Sequence, residues 1–129
     1  MALEGFDAFE REMDETERDI AREWREYVTS IIIILDERVV LRSPVDTGRF
    51  RANNFISLGD ISDAYFEDRT QQADELATLV TMRDYQDVHY QNNTPYGPFL
   101  EEGSSSQAPA GVYAVTVEEL KDLFDVEEI

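Results

Sequence analysis

The chain has 129 residues, of which 42% are hydrophobic and none is cysteine. This is enough for one folded domain, and it excludes disulfides, thiolate catalysis and cysteine zinc sites. The net charge of −18 argues against ordinary nucleic-acid binding, in which Lys and Arg neutralise phosphates, and no apolar run approaches the about 20 residues of a membrane span.

The first third of the chain predicts one long amphipathic helix, over residues 1–42. Its apolar residues recur at steps of three or four, with Thr16 filling the one gap, and they are Phe6, Phe9, Met13, Ile20, Trp24, Tyr27, Val28, Ile31, Leu35 and Val39. This spacing is typical of one helix face, and a stripe of about 35 residues extends for roughly 50 Å. Such a helix is longer than a small domain requires. We expect its first half to project and pack against neighbouring subunits, rather than the helix to bend near Thr29 and Ser30.

A turn follows the helix at Ser43-Pro44-Val45-Asp46-Thr47-Gly48. Pro44 disfavours helix at the preceding residue, so the helix should end near Leu41 or Arg42. The Asp46 carboxylate can cap the turn, and Gly48 tolerates left-handed backbone. A strand is predicted over residues 51–58, and if the extended chain begins at the turn, Arg49 and Arg51 point the same way.

The remaining elements are shorter. Residues 59–68 read as a polar, acidic loop. A helix capped by Thr70 is predicted to continue to about Met82, with Ala73, Leu76, Ala77 and Val80 on one face, although residues 77–82 fit a strand equally well. A strand over residues 87–91 should end at Asn92-Asn93-Thr94-Pro95, which is a strong turn signal.

The C-terminal region predicts a flexible loop over 103–111, a strand over 112–117 and a helix over 117–124. Leu120, Leu123 and Phe124 are expected to face inward. The chain should therefore form a single α+β domain, in which the long helix of residues 1–42 packs on a body formed by residues 43–129. That body should hold a small, mainly antiparallel sheet with one or two short helices.

Two motifs resemble those of a known group of proteins. They are Ser43-Pro44-Val45-Asp46-Thr47-Gly48-Arg49-Phe50-Arg51-Ala52-Asn53 and Tyr96-Gly97-Pro98-Phe99-Leu100-Glu101-Glu102-Gly103-Ser104. In this order they are similar to the neck and tail-completion proteins of long-tailed, siphovirus-type bacteriophages. The second motif has Gly97 where alanine is usual in that family.

The resemblance implies a non-enzymatic virion protein of the phage neck, made in the host cytoplasm. Similar proteins form a ring, expected here to be hexameric, between the head connector or head-completion protein and the tail terminator or tail tube. Genomic DNA passes through such a ring without specific binding, and neither cofactor, metal nor membrane is expected. The predicted subunit-interface residues are Pro44, Val45, Asp46, Thr47, Gly48, Arg49, Arg51, Tyr96, Glu101, Gly103 and Ser104. We further hypothesise that Arg49 or Arg51 pairs with Glu101 across this interface.

The strong acidity has three explanations that the sequence leaves open. An acidic lumen keeps DNA moving because like charges repel, and a highly charged surface also maintains solubility in high salt. An acidic protein that mimics DNA would instead bind a basic protein in a salt-sensitive way.

Other functions were weighed from the residues. A tail terminator or head-completion protein of the same neck fits the motifs too. Asp46-Thr47-Gly48 spells the catalytic triplet of aspartic proteases, but Arg49 beside it would disturb the proton that a paired aspartate site must share. His89 has no partner with which to form a catalytic or metal site. The acids of residues 60–68 do not have the spacing of a calcium loop, and serines 104–106 lack a nearby general base.

Overall fold

One helix contains 40 residues of this chain. The computed structural model describes residues 3–43, 49–67, 74–95, 97–103 and 111–129. The helices are α1 (Leu3–Arg42), α2 (Arg49–Ala52), α3 (Glu75–Leu79), α4 (Gly97–Glu101) and α5 (Tyr113–Phe124), and the strands are β1 (Asn54–Leu58) and β2 (Val88–Asn92). The two strands form one antiparallel sheet. The fold is α+β, as the sequence predicts, and the described residues contain four short helices rather than one or two.

Helix α1 ends where the sequence places its end. Its 40 residues give a length of about 60 Å at the usual helical rise. The helix is continuous through Thr29 and Ser30, and the Ser30 hydroxyl donates to the Glu26 carbonyl at 2.9 Å. At the C-terminal end, the Ser43 hydroxyl donates to the Val39 carbonyl at 2.6 Å. Ser43 is itself buried, so its side chain satisfies a carbonyl that the helix leaves unpaired.

The hydrophobic core lies between the second half of α1, the sheet and α5. Its buried members are Ile32, Leu35, Val39, Phe50, Leu79, Val112 and Leu120, and half-buried Val28, Ile34, Ile56, Val88, Tyr90, Tyr113 and Phe124 pack against them. The α1 residues of this core recur at helical spacing, and two of them, Leu35 and Val39, belong to the predicted apolar stripe.

The residues after the turn form a helical turn, not the start of a strand. α2 covers Arg49–Ala52, and β1 begins only at Asn54. The Asn53 carboxamide donates to the Arg49 carbonyl at 2.8 Å, and the Asn53 N–H donates to the Phe50 carbonyl at 3.2 Å. The prediction that Arg49 and Arg51 share one side of a strand is therefore wrong, because Asn53 closes a helical turn around them.

The sheet pairs Asn54 with Asn92 at one end and Leu58 with Val88 at the other. β2 lies within one residue of its prediction. Side chains of even-numbered residues such as Ile56 and Tyr90 face the core. The opposite face is covered by residues 61–67, which return across it after Gly59 (φ +82). The Phe66 ring there meets the Phe55 ring edge-on, with centroids 5.2 Å apart.

The helix predicted over 70–82 is shorter and buries another face. α3 is capped by Asp74, whose side chain accepts from the Ala77 N–H at 2.9 Å, while Thr70 and Ala73 lie outside the described residues. Leu79 and Met82 are buried, whereas Leu76 and Val80 are 56% and 81% exposed. The predicted face was wrong because α3 turns Leu79 towards the core, and the buried Met82 follows after the helix has ended.

The final strand predicted over 112–117 is also wrong, because α5 begins at Tyr113. Val112, Thr116 and Leu120 have no exposed surface, and their spacing of four residues is that of a helix face. Phe124 is half-buried as predicted, but Leu123 is 56% exposed and does not face inward. Of the loop predicted over 103–111, only Gly103 and Gly111 belong to the described residues.

Candidate functional site

An exposed apolar surface lies on the first half of α1. All residues from Gly5 to Ile20 are exposed, a stretch of about 24 Å. On one face lies what we name the helix stripe: Phe6, Phe9, Met13 and Ile20, which are 55%, 56%, 46% and 53% exposed. Thr16 fills the gap in this stripe, and its hydroxyl donates to the Glu12 carbonyl at 2.9 Å, so it presents no free polar group. An apolar surface of this kind marks an interaction site.

The helix stripe ends where α1 first meets the body of the protein. Ala21 is only 4% exposed. One turn further, the Trp24 ring lies 5.2 Å from the Tyr85 ring, and Arg25 forms an ion pair with Asp84. These contacts fix the middle of α1 on the loop after α3, so the residues before Ala21 extend beyond the body. This is the projection that the length of the stripe predicts.

Only part of the predicted interface falls on described residues. Residues 44–48, Tyr96 and Ser104 lie outside them, and Arg49, Arg51, Glu101 and Gly103 lie within them. Arg49 pairs with Glu67 at 2.8 Å and donates to the Tyr65 hydroxyl at 3.2 Å. The Arg51 Nε donates to the Ser43 carbonyl at 3.1 Å. Within one chain, Arg51 therefore joins α2 to the residue that follows α1, and Arg49 contacts the segment that crosses the sheet.

Glu101 caps the N-terminus of α5. Its carboxylate accepts hydrogen bonds from the N–H groups of Val112, Tyr113 and Ala114 at 2.8, 2.5 and 3.2 Å. These are donors that the first helical turn leaves unpaired, and a negative charge is favoured there by the helix dipole. Gly111 (φ +83) passes so close that a Cβ would lie 2.7 Å from the Glu101 carbonyl oxygen. The backbones of Glu101 and Gly111 are therefore in close contact. The pairing of Glu101 with an arginine of a second chain stays a hypothesis.

Two tyrosines at the core form a polar centre that the sequence analysis missed. The Tyr90 hydroxyl donates to Asp36 at 2.6 Å, the Tyr113 hydroxyl donates to Asn54 at 2.7 Å, and the two rings lie 5.6 Å apart. Burial raises the pKa of both phenols far above its ordinary value, and the charge of Asp36 adds to this for Tyr90, as does that of Glu101 for Tyr113. No local pattern in the sequence predicts this polar centre, because its four residues come from four separate elements.

A second polar contact joins α1 to α5. Glu119 forms ion pairs with Arg38 and Arg42, and Arg42 also donates to the Thr116 hydroxyl at 2.9 Å. The hydrogen bond from Arg42, together with the positive charges of Arg42 and Arg38, lowers the pKa of the Glu119 carboxyl. This cluster orients α5 along the buried half of α1.

His89, one of the residues weighed for catalysis or metal binding, has a structural contact. The His89 Nε2 lies 3.0 Å from the Gly59 carbonyl at the reversal of the chain. Among the described residues, no group of three or more His, Asp or Glu side chains is arranged to hold a metal ion. In the same part of the chain, none of the helices combines the length and apolar character needed to cross a membrane.

The resemblance to tail-completion proteins rests on the two sequence motifs quoted above. Comparison of the chain with models of protein families, with curated proteins and with solved structures finds no match.

Proposed function

We propose that this protein is a structural subunit of a phage neck, a tail-completion ring component that joins the tail to the head connector. The observation that carries this proposal is the helix stripe. A stripe of large apolar side chains on a projecting helix needs a protein partner, since no described residue covers it and burying each such side chain contributes about 1.5–3 kcal/mol.

A ring of identical subunits provides such a partner at every position. In a closed ring each subunit presents one surface to the next and receives that neighbour's complementary surface. The projecting half of α1 would lie along the adjoining subunit, and the acidic surface of the ring would face the DNA that passes. The two sequence motifs that resemble tail-completion proteins support the phage neck as the assembly in which such a ring would stand.

Electron microscopy of a lysate from a phage lacking this gene tests the proposal. DNA-filled heads separate from finished tails are the expected result, since the joining step would be missing. Normal infectious particles in that lysate would remove the neck assignment. Heads without DNA, or tails of abnormal length, would move the protein to head completion or tail termination.

Complementation of the same lysate tests whether the helix stripe carries the function. The variant Phe9→Ser with Met13→Ser should fail to restore joined particles. The matched control, Arg11→Ser with Glu15→Ser, changes two exposed residues on the opposite face of the same helix and leaves the net charge unchanged. It should restore joining, and equal failure of both variants would remove the helix stripe from the proposal.

A further inference from the structure

Residues 61–67 form a strand-like segment that pairs with no strand in the described part of the chain. Exposure alternates strictly along it, with Ile61, Asp63, Tyr65 and Glu67 exposed and the residues between them half-buried. This period of two is that of an extended chain lying on a surface. We name these residues the tethered segment.

Side-chain amides hold the tethered segment in the way that a neighbouring strand would. The Asn53 carboxamide accepts from the Phe66 N–H at 2.7 Å and donates to the Phe66 carbonyl at 2.8 Å. The Gln91 carboxamide does the same with Ser62, at 3.0 and 2.6 Å. In an antiparallel pair of strands, one residue bonds both the N–H and the C=O of the residue opposite it. Here a side-chain amide makes the same two bonds.

Asn93 completes this arrangement. Its side-chain nitrogen donates to the carbonyls of Ser62 and Ala64, both at 2.9 Å. The carbonyls of Ser62, Ala64 and Phe66 and the N–H groups of Ser62 and Phe66 are therefore bonded to side chains at the sheet, while the Ala64 N–H donates to the Ser62 hydroxyl at 3.1 Å within the segment. In an extended chain, consecutive residues direct their N–H and C=O groups to opposite sides.

The backbone of Ile61, Asp63 and Tyr65 consequently forms an open edge. No hydrogen bond joins the N–H or C=O groups of these three residues to another residue in the described part of the chain. Ile61 is 75% exposed and Tyr65 is 42% exposed. A row of unpaired backbone groups on an extended segment is a template for a further strand.

We propose that this edge binds an extended, basic segment of another protein by β-strand addition. Backbone hydrogen bonds supply affinity in that mode, and side chains at alternate positions supply specificity. The carboxylates of Asp60 and Asp63 are exposed beside the edge, and Ile61 and Tyr65 offer apolar contact. The fitting strand alternates Lys or Arg with apolar residues. A second copy of this chain is disfavoured because it also carries a net charge of −18. This edge is separate from the helix stripe, so the inference does not depend on the neck assignment.

The full-length protein and a synthetic peptide of about ten residues that alternates valine and lysine test the proposal. Binding is measured by calorimetry, and amide hydrogen exchange is followed by NMR. The amides of Ile61, Asp63 and Tyr65 should exchange rapidly in the free protein and become protected by about tenfold or more with bound peptide. The control is the same peptide with N-methyl groups on alternate amides, which keeps the charge and removes the backbone donors, and it should not bind.

Two variants at one position separate strand addition from simple charge attraction. Asp63→Asn removes the charge alone and should weaken binding by a few-fold at low salt. Asp63→Pro also removes an N–H that no described residue accepts, and it should weaken binding by at least about tenfold more. Equal effects of the two variants, or equal binding of the N-methylated peptide, would overturn the proposal. An absence of peptide binding would also overturn it. Protection of these amides that increases with the concentration of the protein alone would do the same, since a second copy would then occupy the edge.

Discussion

A single carboxylate caps the start of the last helix, α5. Glu101 accepts three backbone N–H groups of α5, and it belongs to the motif that resembles the tail-completion proteins. An intramolecular cap is thus one reason for a glutamate at this position, beside the interface role that we hypothesise for it.

Replacing Glu101 tests the strength of this cap. Glu101→Ala should lower the free energy of unfolding by about 1–2 kcal/mol, because three donors at the start of α5 lose their acceptor. Glu102→Ala is the matched control, since Glu102 is exposed and its loss should cost less than about 0.5 kcal/mol. Urea unfolding of the two variants measures the difference. Equal stability of the two would contradict the capping role.

The buried tyrosines predict how stability depends on alkaline pH. The pKa of Tyr90 and of Tyr113 is raised by burial in the folded chain, whereas an unfolded tyrosine titrates near pH 10. Above about pH 10 the unfolded chain releases protons that the folded chain keeps, so stability falls as pH rises, by up to about 1.4 kcal/mol per pH unit for each tyrosine.

The double variant Tyr90→Phe with Tyr113→Phe isolates this effect. It should be less stable at neutral pH by about 1–3 kcal/mol, because two partly buried hydrogen bonds are lost. Between about pH 10 and pH 12 its stability should fall less steeply than that of the natural chain. Denaturant unfolding at a series of pH values measures both slopes, and identical slopes would show that the two phenols do not control the alkaline limit.

At the scale of elements, α5 is held by one face. Leu120 is fully buried in the core, while Leu123, less than one turn further, is 56% exposed. Leu120→Ala should destabilise the protein by about 2–5 kcal/mol, because it leaves a cavity among the core residues. Leu123→Ala, the same chemical change on the same helix, should cost less than about 1 kcal/mol. Thermal or urea unfolding of both variants checks the orientation of α5, and a larger loss at Leu123 would contradict it.

Helices α1 and α5 illustrate what the sequence can and cannot predict. The long helix was predicted to within a residue or two because its stripe is a local pattern repeated over many turns. The strand predicted over 112–117 was wrong because Val112, Val115, Thr116 and Val117 are β-branched, which favours strands. The hydrogen bonds that cap α5 come from Glu101, which is too far away along the chain to influence a prediction from neighbouring residues. The spacing of Val112, Thr116 and Leu120 was nevertheless an available signal for a helix.

The extended form of the tethered segment could not be predicted, for a related reason. Residues 59–68 have the polar composition of a loop, and that expectation agrees with the absence of regular structure in the described part, 59–67. The composition gives no indication that Asn53, Gln91 and Asn93 hold these residues in an extended form. Side-chain amides that replace a partner strand leave no periodic trace in the sequence, so the open edge becomes visible only when the tertiary contacts are known.

At the scale of the whole molecule, association must overcome a large like charge. Each subunit carries a net charge of −18, so two copies repel one another, and the repulsion reaches about 30 Å at 0.01 M salt but only about 3 Å at 1 M. The helix stripe is apolar, so its contribution to association does not depend on opposite charges. Salt should therefore strengthen self-association through the helix stripe.

Sedimentation of the purified protein at about 0.01 M and 1 M salt tests this reasoning. We expect tighter association at high salt for the natural chain and for the Arg11→Ser/Glu15→Ser control, and monomers at both salt concentrations for Phe9→Ser/Met13→Ser. Association that weakens with salt would instead indicate a contact between opposite charges, as in the hypothesised pairing of Arg49 or Arg51 with Glu101. Charge reversal by Arg49→Glu then decides the matter, because it should abolish a charge-mediated contact and leave one made by the helix stripe intact.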